Sequence, residues 1–168
     1  MPSKMFPFSI AAFLAVVLDQ ASKSWVSSSI PLGGEIPVIG EFFSITHVLN
    51  TGIVLGLFRG GAVWIFLSLT LVALGLIGTF YHQLEPRDRL SSTALGLVAG
   101  GAVGNGIDRL LNQAVTDFLH FDFGFFSYPD FNVADSAIVV GVAILVLVPE
   151  TWRPREEDPA ERPAENSA

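Results

Sequence analysis

The chain has 168 residues, of which 51% are hydrophobic and only 15% are charged. Its mean hydropathy of +0.55 excludes an ordinary soluble globular domain. Cysteine is absent, which excludes disulfides, thiolate catalysis and metal sites with Cys ligands.

Four apolar stretches follow one another along the chain. A bilayer core of about 30 Å needs roughly 20 helical residues, so these stretches predict four transmembrane helices. The expected helices span about 5–28, 60–82, 89–111 and 131–149. The second is the cleanest, because no formally charged residue lies between Arg59 and Glu85. The first contains Asp19 and Lys23, which argue against its alternative interpretation as a cleaved secretory signal peptide.

The segments between and after these helices differ in character. Residues 29–59 contain β-branched and aromatic residues around Gly40, which predicts a two-stranded or larger sheet at the membrane surface. Residues 112–130 are dense in aromatic rings, which favour the headgroup region, so we expect a loop resting on the membrane. Residues 151–168 are rich in Pro, Glu and Arg and predict a disordered tail. Residues 1–150 then form a single polytopic membrane domain.

Basic residues predict the orientation of this domain. In a four-helix arrangement, Lys4, the Arg87 and Arg89 pair and the arginines of the tail fall on one side of the membrane. By the positive-inside rule, both termini are expected in the cytoplasm. The formal net charge of −7 does not oppose this orientation, because acidic residues contribute little to membrane topology.

Five carboxylates lie in or beside the apolar stretches. They are Asp19, Asp108, Asp117, Asp135 and, less deeply, Asp122. An ionised Asp at the centre of a membrane helix is unfavourable by roughly 2.5 to 3.5 kcal/mol on insertion scales, so such residues are candidates for function. At about 1.5 Å per helical residue, counts along the first, third and fourth helices put the acids near one plane at the external face.

Helical spacing predicts which polar side chains share a face. The expected groups are Asp19 with Lys23, Asn105 with Asp108 and Arg109, and Asn132 with Asp135. We interpret the first group as a structural ion pair. The second group predicts a hydrogen-bonded brace in which the Arg109 cation compensates Asp108.

Asp117 and Asp135 have no obvious basic partner of their own. Two carboxylates that meet in a low-dielectric site cannot both ionise, so they share one proton and titrate as a pair. Aspartic proteases use this arrangement. The alternative that both acids only cap helix ends stays open from spacing alone.

The alternatives to this chemistry are a metal site, a transporter or ion-conducting protein, and a serine–lysine protease. The three histidines, His47, His82 and His120, are scattered without metal-ligand spacing, so neither a metal nor a cofactor is expected. A small transporter or proton- or ion-conducting protein could also use intramembrane Asp residues, but no inverted repeat is visible. A serine–lysine protease using Lys23 with Ser27 is a further alternative.

Five motifs occur in order along the chain. They are DQASK from Asp19, NTG from Asn50, GGAVGNGIDR from Gly100, VTDF from Val115 and FNVADS from Phe131. Over roughly residues 10–149, the chain closely resembles the lipoprotein signal peptidase family, also called signal peptidase II. Members of this family are bacterial inner-membrane aspartyl proteases.

This resemblance implies Asp117 and Asp135 as the catalytic pair. It further implies a set of residues that support the site or contact substrate: Asp19, Lys23, Asn50, Gly52, Asn105, Asp108, Arg109 and Asn132. The implied fold is a membrane all-α core of four transmembrane helices with a small periplasmic β-sheet and an outer amphipathic segment.

The resemblance also implies the substrate and the partners. The implied substrate is a prolipoprotein whose Cys already carries a diacylglyceryl group, cleaved immediately before that Cys. Membrane lipid is then a partner, while no nucleic acid and no obligate protein partner are expected.

One departure concerns Ile53, Val54 and Leu55, where the family usually has a small-small-aromatic run. These bulkier residues would affect substrate preference, or mark a divergent paralogue with weaker activity.

Overall fold

The protein is described here as a computed structural model that covers residues 4–52 and 62–148. In chain order the elements are α1 (Met5–Ser29), β1 (Glu35–Ile39), β2 (Phe43–Asn50), α2 (Ala62–Gln83), α3 (Arg89–Asn112), β3 (Val115–Asp122), β4 (Ser127–Phe131) and α4 (Val133–Leu147). The departure at Ile53 to Leu55 and the expected disordered tail lie outside the described residues. The expected outer amphipathic segment is not among the described elements.

Three of the helices are long and apolar enough to cross a membrane. They lie within Met5–Ser29, Val63–Gln83 and Arg89–Asn112, whereas α4 is a shorter apolar helix of 15 residues. The fourth helix was expected from residue 131, but it begins at Val133. Phe131 still belongs to β4, and Asn132 caps the helix.

Small residues let α3 pack closely between α1 and α4. A Cβ atom added at Gly100 would lie 2.7 Å from the Cβ atom of Ala15 on α1. A Cβ atom added to Gly141 of α4 would lie 2.7 Å from Cγ2 of Val98 on α3. Helix pairs in membranes associate through such small-residue contacts, because lipid gives no hydrophobic driving force between them. The result is a central α3 whose inward face is shielded from lipid.

The four strands form one antiparallel sheet in the order β1-β2-β3-β4. The prediction of a loop over residues 112–130 was therefore wrong, because most of that segment forms β3 and β4. Ring contacts stabilise this pairing: the ring centroids of Phe43 and Phe121 are 4.7 Å apart, and Phe121 stacks on Phe131 at 6.0 Å. The chain passes directly from β4 through Asn132 into α4, so the sheet fixes where α4 begins.

Candidate active site

Asp117 lies on β3 opposite Val48 of β2 and is only 3% exposed. Its Oδ2 atom accepts a hydrogen bond from Nδ2 of Asn50 at 2.9 Å. Its Oδ1 atom accepts one from Nδ2 of Asn132 at 2.6 Å. Burial raises the pKa of Asp117 to about 6, and the charge of Asp135 adds to the rise, although the two amide donors oppose it.

Asp135 lies in the first turn of α4, and like Asp117 it contacts Asn132. Asn132, the N-cap, accepts the backbone N–H of Asp135 at 2.9 Å, and Oδ2 of Asp135 accepts the backbone N–H of Asn132 at 3.3 Å. This reciprocal capping box confirms the pairing expected from their i, i+3 spacing. Nδ2 of Asn105 on α3 donates to Oδ1 of Asp135 at 2.8 Å. Asp135 therefore has donors on both oxygens.

The amide donors are held in one orientation through their own carbonyl oxygens. Oδ1 of Asn50 accepts the backbone N–H of Gly52 at 2.9 Å, which leaves its N–H groups for Asp117. Oδ1 of Asn105 accepts from Nζ of Lys23 at 3.0 Å, and it also accepts from Nδ2 of Asn132 at 3.2 Å. If either side-chain amide were turned over, its NH2 group would face another N–H donor and its carbonyl oxygen would face a carboxylate. The donors consequently face the two acids.

A buried ion cluster lies behind these amides. Nζ of Lys23 contacts Oδ2 of Asp19 at 2.7 Å, which confirms the ion pair expected from their spacing. The same ammonium contacts Oδ2 of Asp108 at 3.0 Å. Gln20 donates to Oδ1 of Asp108 at 3.0 Å. Spacing did not single out Gln20, and its place within the DQASK motif was the only signal for it.

The predicted brace between Asp108 and Arg109 was wrong. Adjacent helical residues point in different directions, and Asp108 faces α1 and Lys23. The guanidinium of Arg109 instead lies 4.7 Å from the ring centroid of Phe66 on α2. Gly52 packs against the same ring at a positive φ of 68°, where an added Cβ atom would overlap the ring. Arg109 and Gly52 thus border the site through Phe66.

The remaining candidates have other roles in the structure. Oδ1 of Asp122 accepts the backbone N–H of Gly124 at 2.6 Å, so Asp122 caps the β3–β4 turn. Nδ1 of His120 lies 2.7 Å from Oδ1 of Asp130 across the β3–β4 pair. Ser27 is exposed on α1 while the ammonium of Lys23 is buried among three acceptors, which disfavours the serine–lysine alternative.

No group of three or more His, Cys, Asp or Glu residues in the ranges 4–52 and 62–148 is arranged to hold a metal ion. Within the same ranges, neither Asp117 nor Asp135 forms an ion pair. Amide donors take the place of cations around both acids, and such donors stabilise a carboxylate without neutralising it. The described part of the site thus presents two carboxylates held by amide donors and no cluster of metal ligands.

An apolar groove of about 510 Å³ opens beside Asp135. Its walls come from the sheet on one side and from α4 on the other. They are formed by Phe42, Phe121, Phe123, Tyr128, Phe131, Ser136, Val139 and Val140. A carboxylate at the edge of an apolar groove can act on a polar bond that is attached to an apolar group.

Comparisons with known proteins converge on one family. A family model described as "Signal peptidase (SPase) II" matches residues 11–149. A protein of Bacillus pumilus named "Lipoprotein signal peptidase" is 42% identical over 138 residues, which cover 82% of this chain and 88% of that protein. One of the same name from Symbiobacterium thermophilum is 44% identical over 138 residues, covering 82% of this chain and 90% of that protein.

A solved structure has the same fold. It is described as "Bacterial membrane enzyme structure by the in meso method at 2.3 A resolution", and it matches with a TM-score of 0.79 and 28% sequence identity. The match covers 94% of this chain and 98% of the solved chain.

Proposed function

The chain belongs to the signal peptidase II family, and we propose that it is an aspartic endopeptidase in which Asp117 and Asp135 form the catalytic pair. The observation that carries this proposal is the chain of amides from Asp117 through Asn132 and Asn105 to Asp135. These hydrogen bonds connect the two acids. The donors favour the ionised carboxylate, whereas burial favours the protonated carboxyl group.

The reaction follows from one shared proton. The ionised member of the pair takes a proton from water, and the resulting hydroxide attacks the carbonyl carbon of the scissile peptide bond. The protonated member donates to the developing oxyanion. When the C–N bond breaks, a proton reaches the leaving amine, so the products are a new carboxylate and a new amino terminus.

The name "Lipoprotein signal peptidase" of the relatives supports a lipoprotein precursor as the substrate of this chain. We propose cleavage immediately before a Cys that carries a diacylglyceryl group. The groove beside Asp135 supports this specificity, because acyl chains match its apolar walls and would hold the scissile bond near the carboxylate. A transporter interpretation gains no support from these relatives.

The aromatic side chains at the β3–β4 hairpin support a position at the membrane surface. Phe125 is 92% exposed, and Phe123, Phe126 and Tyr128 are each about half exposed. Such a patch is unfavourable in water but favourable at the headgroup level of a bilayer. We propose that α4 spans the membrane beside the three longer helices, with both termini in the cytoplasm. The site then lies near the outer face.

Two matched substrates test the proposed function. The purified protein in lipid is incubated with a diacylglyceryl-modified prolipoprotein and with its unlipidated twin, and the products are identified by mass spectrometry. We expect cleavage of the modified form alone, with a product that begins at the lipidated Cys. Equal cleavage of both would contradict the role of the lipid. Proton or cation flux in vesicles without any cleavage would favour the transporter alternative.

A further inference from the structure

The two carboxylates that flank Lys23 each hold the backbone next to one member of the proposed catalytic pair. Oδ1 of Asp19 accepts the backbone N–H of Ala134 at 2.9 Å, and Ala134 directly precedes Asp135. Oδ2 of Asp108 accepts the backbone N–H of Thr116 at 3.0 Å, and Thr116 directly precedes Asp117. The same kind of contact is thus made twice, once to each half of the pair.

One cation joins the two contacts. Nζ of Lys23 lies 2.7 Å from Asp19 and 3.0 Å from Asp108, and its third partner is Oδ1 of Asn105 at 3.0 Å. An ammonium has three N–H donors, so these acceptors saturate it. Asn105 in turn donates to Asp135. All three charged side chains of the cluster are buried, and Asp19 is fully so.

The contact at Ala134 also completes a helix end. The first N–H groups of a helix have no partner within it. The side chain of Asn132 accepts the backbone N–H of Asp135. The side chain of Asp19, on α1, accepts the backbone N–H of Ala134. The start of α4 is therefore attached to α1, 115 residues away in sequence. Asp19 thereby contacts the backbone directly before Asp135.

We propose that Asp19, Lys23 and Asp108 form a positioning device that sets the separation of Asp117 and Asp135. Asp19 fixes the backbone at Asp135, Asp108 fixes it at Asp117, and Lys23 holds the two carboxylates at a common point. Stability alone does not account for this cluster, because a buried ion group is often no more stable than apolar residues of the same volume. The inference rests on the proposed function, since it assigns positioning residues to that reaction.

The test lengthens each attachment without removing its charge. In Asp19→Glu and Asp108→Glu, one added methylene displaces the carboxylate by about 1.5 Å. Misplacement of a reacting group by about 1 Å can reduce a rate 100-fold. We expect kcat to fall by about 10- to 100-fold in each variant, with KM changed by less than about threefold.

Asp88→Glu is the matched control. Asp88 is also buried, and as the N-cap of α3 it accepts the backbone N–H of Ser91 at 2.9 Å, at the end of the helix opposite to Asp108. We expect all three variants to lower the melting temperature to a similar extent, while Asp88→Glu leaves kcat unchanged. A loss of kcat in Asp88→Glu equal to that in the other two would overturn the inference, because the effect would then be one of general stability.

Backbone amide exchange measured by NMR on the same samples gives a readout that does not depend on activity. We expect faster exchange at Ala134 in Asp19→Glu and at Thr116 in Asp108→Glu, and at neither position in Asp88→Glu. If the parent protein cleaves no modified prolipoprotein, the proposed function has failed, and exchange alone decides about the attachments. Unchanged exchange at both amides would overturn the inference even in an active protein.

Discussion

Asn132 donates a side-chain hydrogen bond to Asp117 over 2.6 Å, so the residue that caps α4 also holds the acid on β3. Asn132 is fully buried, and its side-chain Oδ1 atom accepts the backbone N–H of Asp135. A shift of either acid therefore disturbs the environment of the other. This shared contact supports the proposal that the two acids titrate as one unit.

Removal of metal ions should leave the activity unchanged. The chain has no cysteine, and carboxylates activate water in the proposed mechanism. We expect cleavage of the modified prolipoprotein to proceed at the parent rate in excess EDTA. A loss of activity that zinc restores would contradict an aspartyl mechanism.

Asn50→Ala should move the alkaline limb of the pH–rate profile to higher pH. In the proposed mechanism the pair carries one proton, which is lost on the alkaline side. Burial raises the pKa of Asp117 to about 6. Asn50 donates to the ionised carboxylate and lowers that pKa, so its removal raises the pKa and extends activity upward. We expect the limb of kcat/KM to move by about one pH unit, since a hydrogen bond to a charge contributes roughly 1.5 kcal/mol or more. A limb that stays in place or moves to lower pH would refute this electrostatic role.

Asp108→Ala should lower both stability and activity. The change leaves Lys23 with one carboxylate in a buried place and removes the acceptor of the Thr116 N–H. Breaking a buried pair on one side is unfavourable by about 3 kcal/mol or more. Thermal unfolding in detergent checks this value, with the exposed Glu41→Ala expected within about 0.5 kcal/mol of the parent. An Asp108→Ala protein that is inactive yet as stable as the parent would place Asp108 among the reacting groups.

Gly104→Ala should also destabilise the ion cluster. An added Cβ atom would lie 2.6 Å from Oδ2 of Asp19, which cannot retreat because Lys23 and the Ala134 N–H hold it. Overpacking of this kind destabilises by about 1 to 3 kcal/mol.

Gly78→Ala on α2 is the control, since nothing lies within 4 Å of its added Cβ atom. There the lower backbone entropy of alanine in the unfolded chain should stabilise the helix by roughly 0.5 to 1 kcal/mol. Equal stability of the two variants would argue against a rigid cluster.

Local spacing predicted the contacts that lie within one helix turn. The Asp19 and Lys23 ion pair and the reciprocal capping of Asn132 and Asp135 follow from i, i+4 and i, i+3 geometry, which depends on no other part of the chain. The same reasoning failed for Asp108, because its partner is on another helix. Which cation a buried acid meets is decided by helix packing, and the glycines of α3 bring α1 close enough for Lys23.

The sequence pattern also did not predict the long-range pairing of strands. The aromatic residues of 112–130 favour both a membrane-resting loop and strands, and only the partner strand β2 distinguishes them. Likewise, the backbone N–H groups of Thr116 and Ala134 carry no signal in the residue types, because every residue except proline has one. Their acceptors became visible only with the three-dimensional arrangement.

The proposed sharing of one proton by Asp117 and Asp135 is tested most directly by single and double Asn variants. Asn preserves size and some hydrogen bonding but cannot cycle a proton, so each single variant should lose at least about 1,000-fold in turnover while it remains folded and binds substrate. Because the two acids act as one unit, the double variant should be hardly slower than either single variant. Turnover of the modified prolipoprotein, measured for the parent and the three variants, decides the matter. Losses that multiply, or substantial cleavage by either single variant, would contradict the assignment of a catalytic pair.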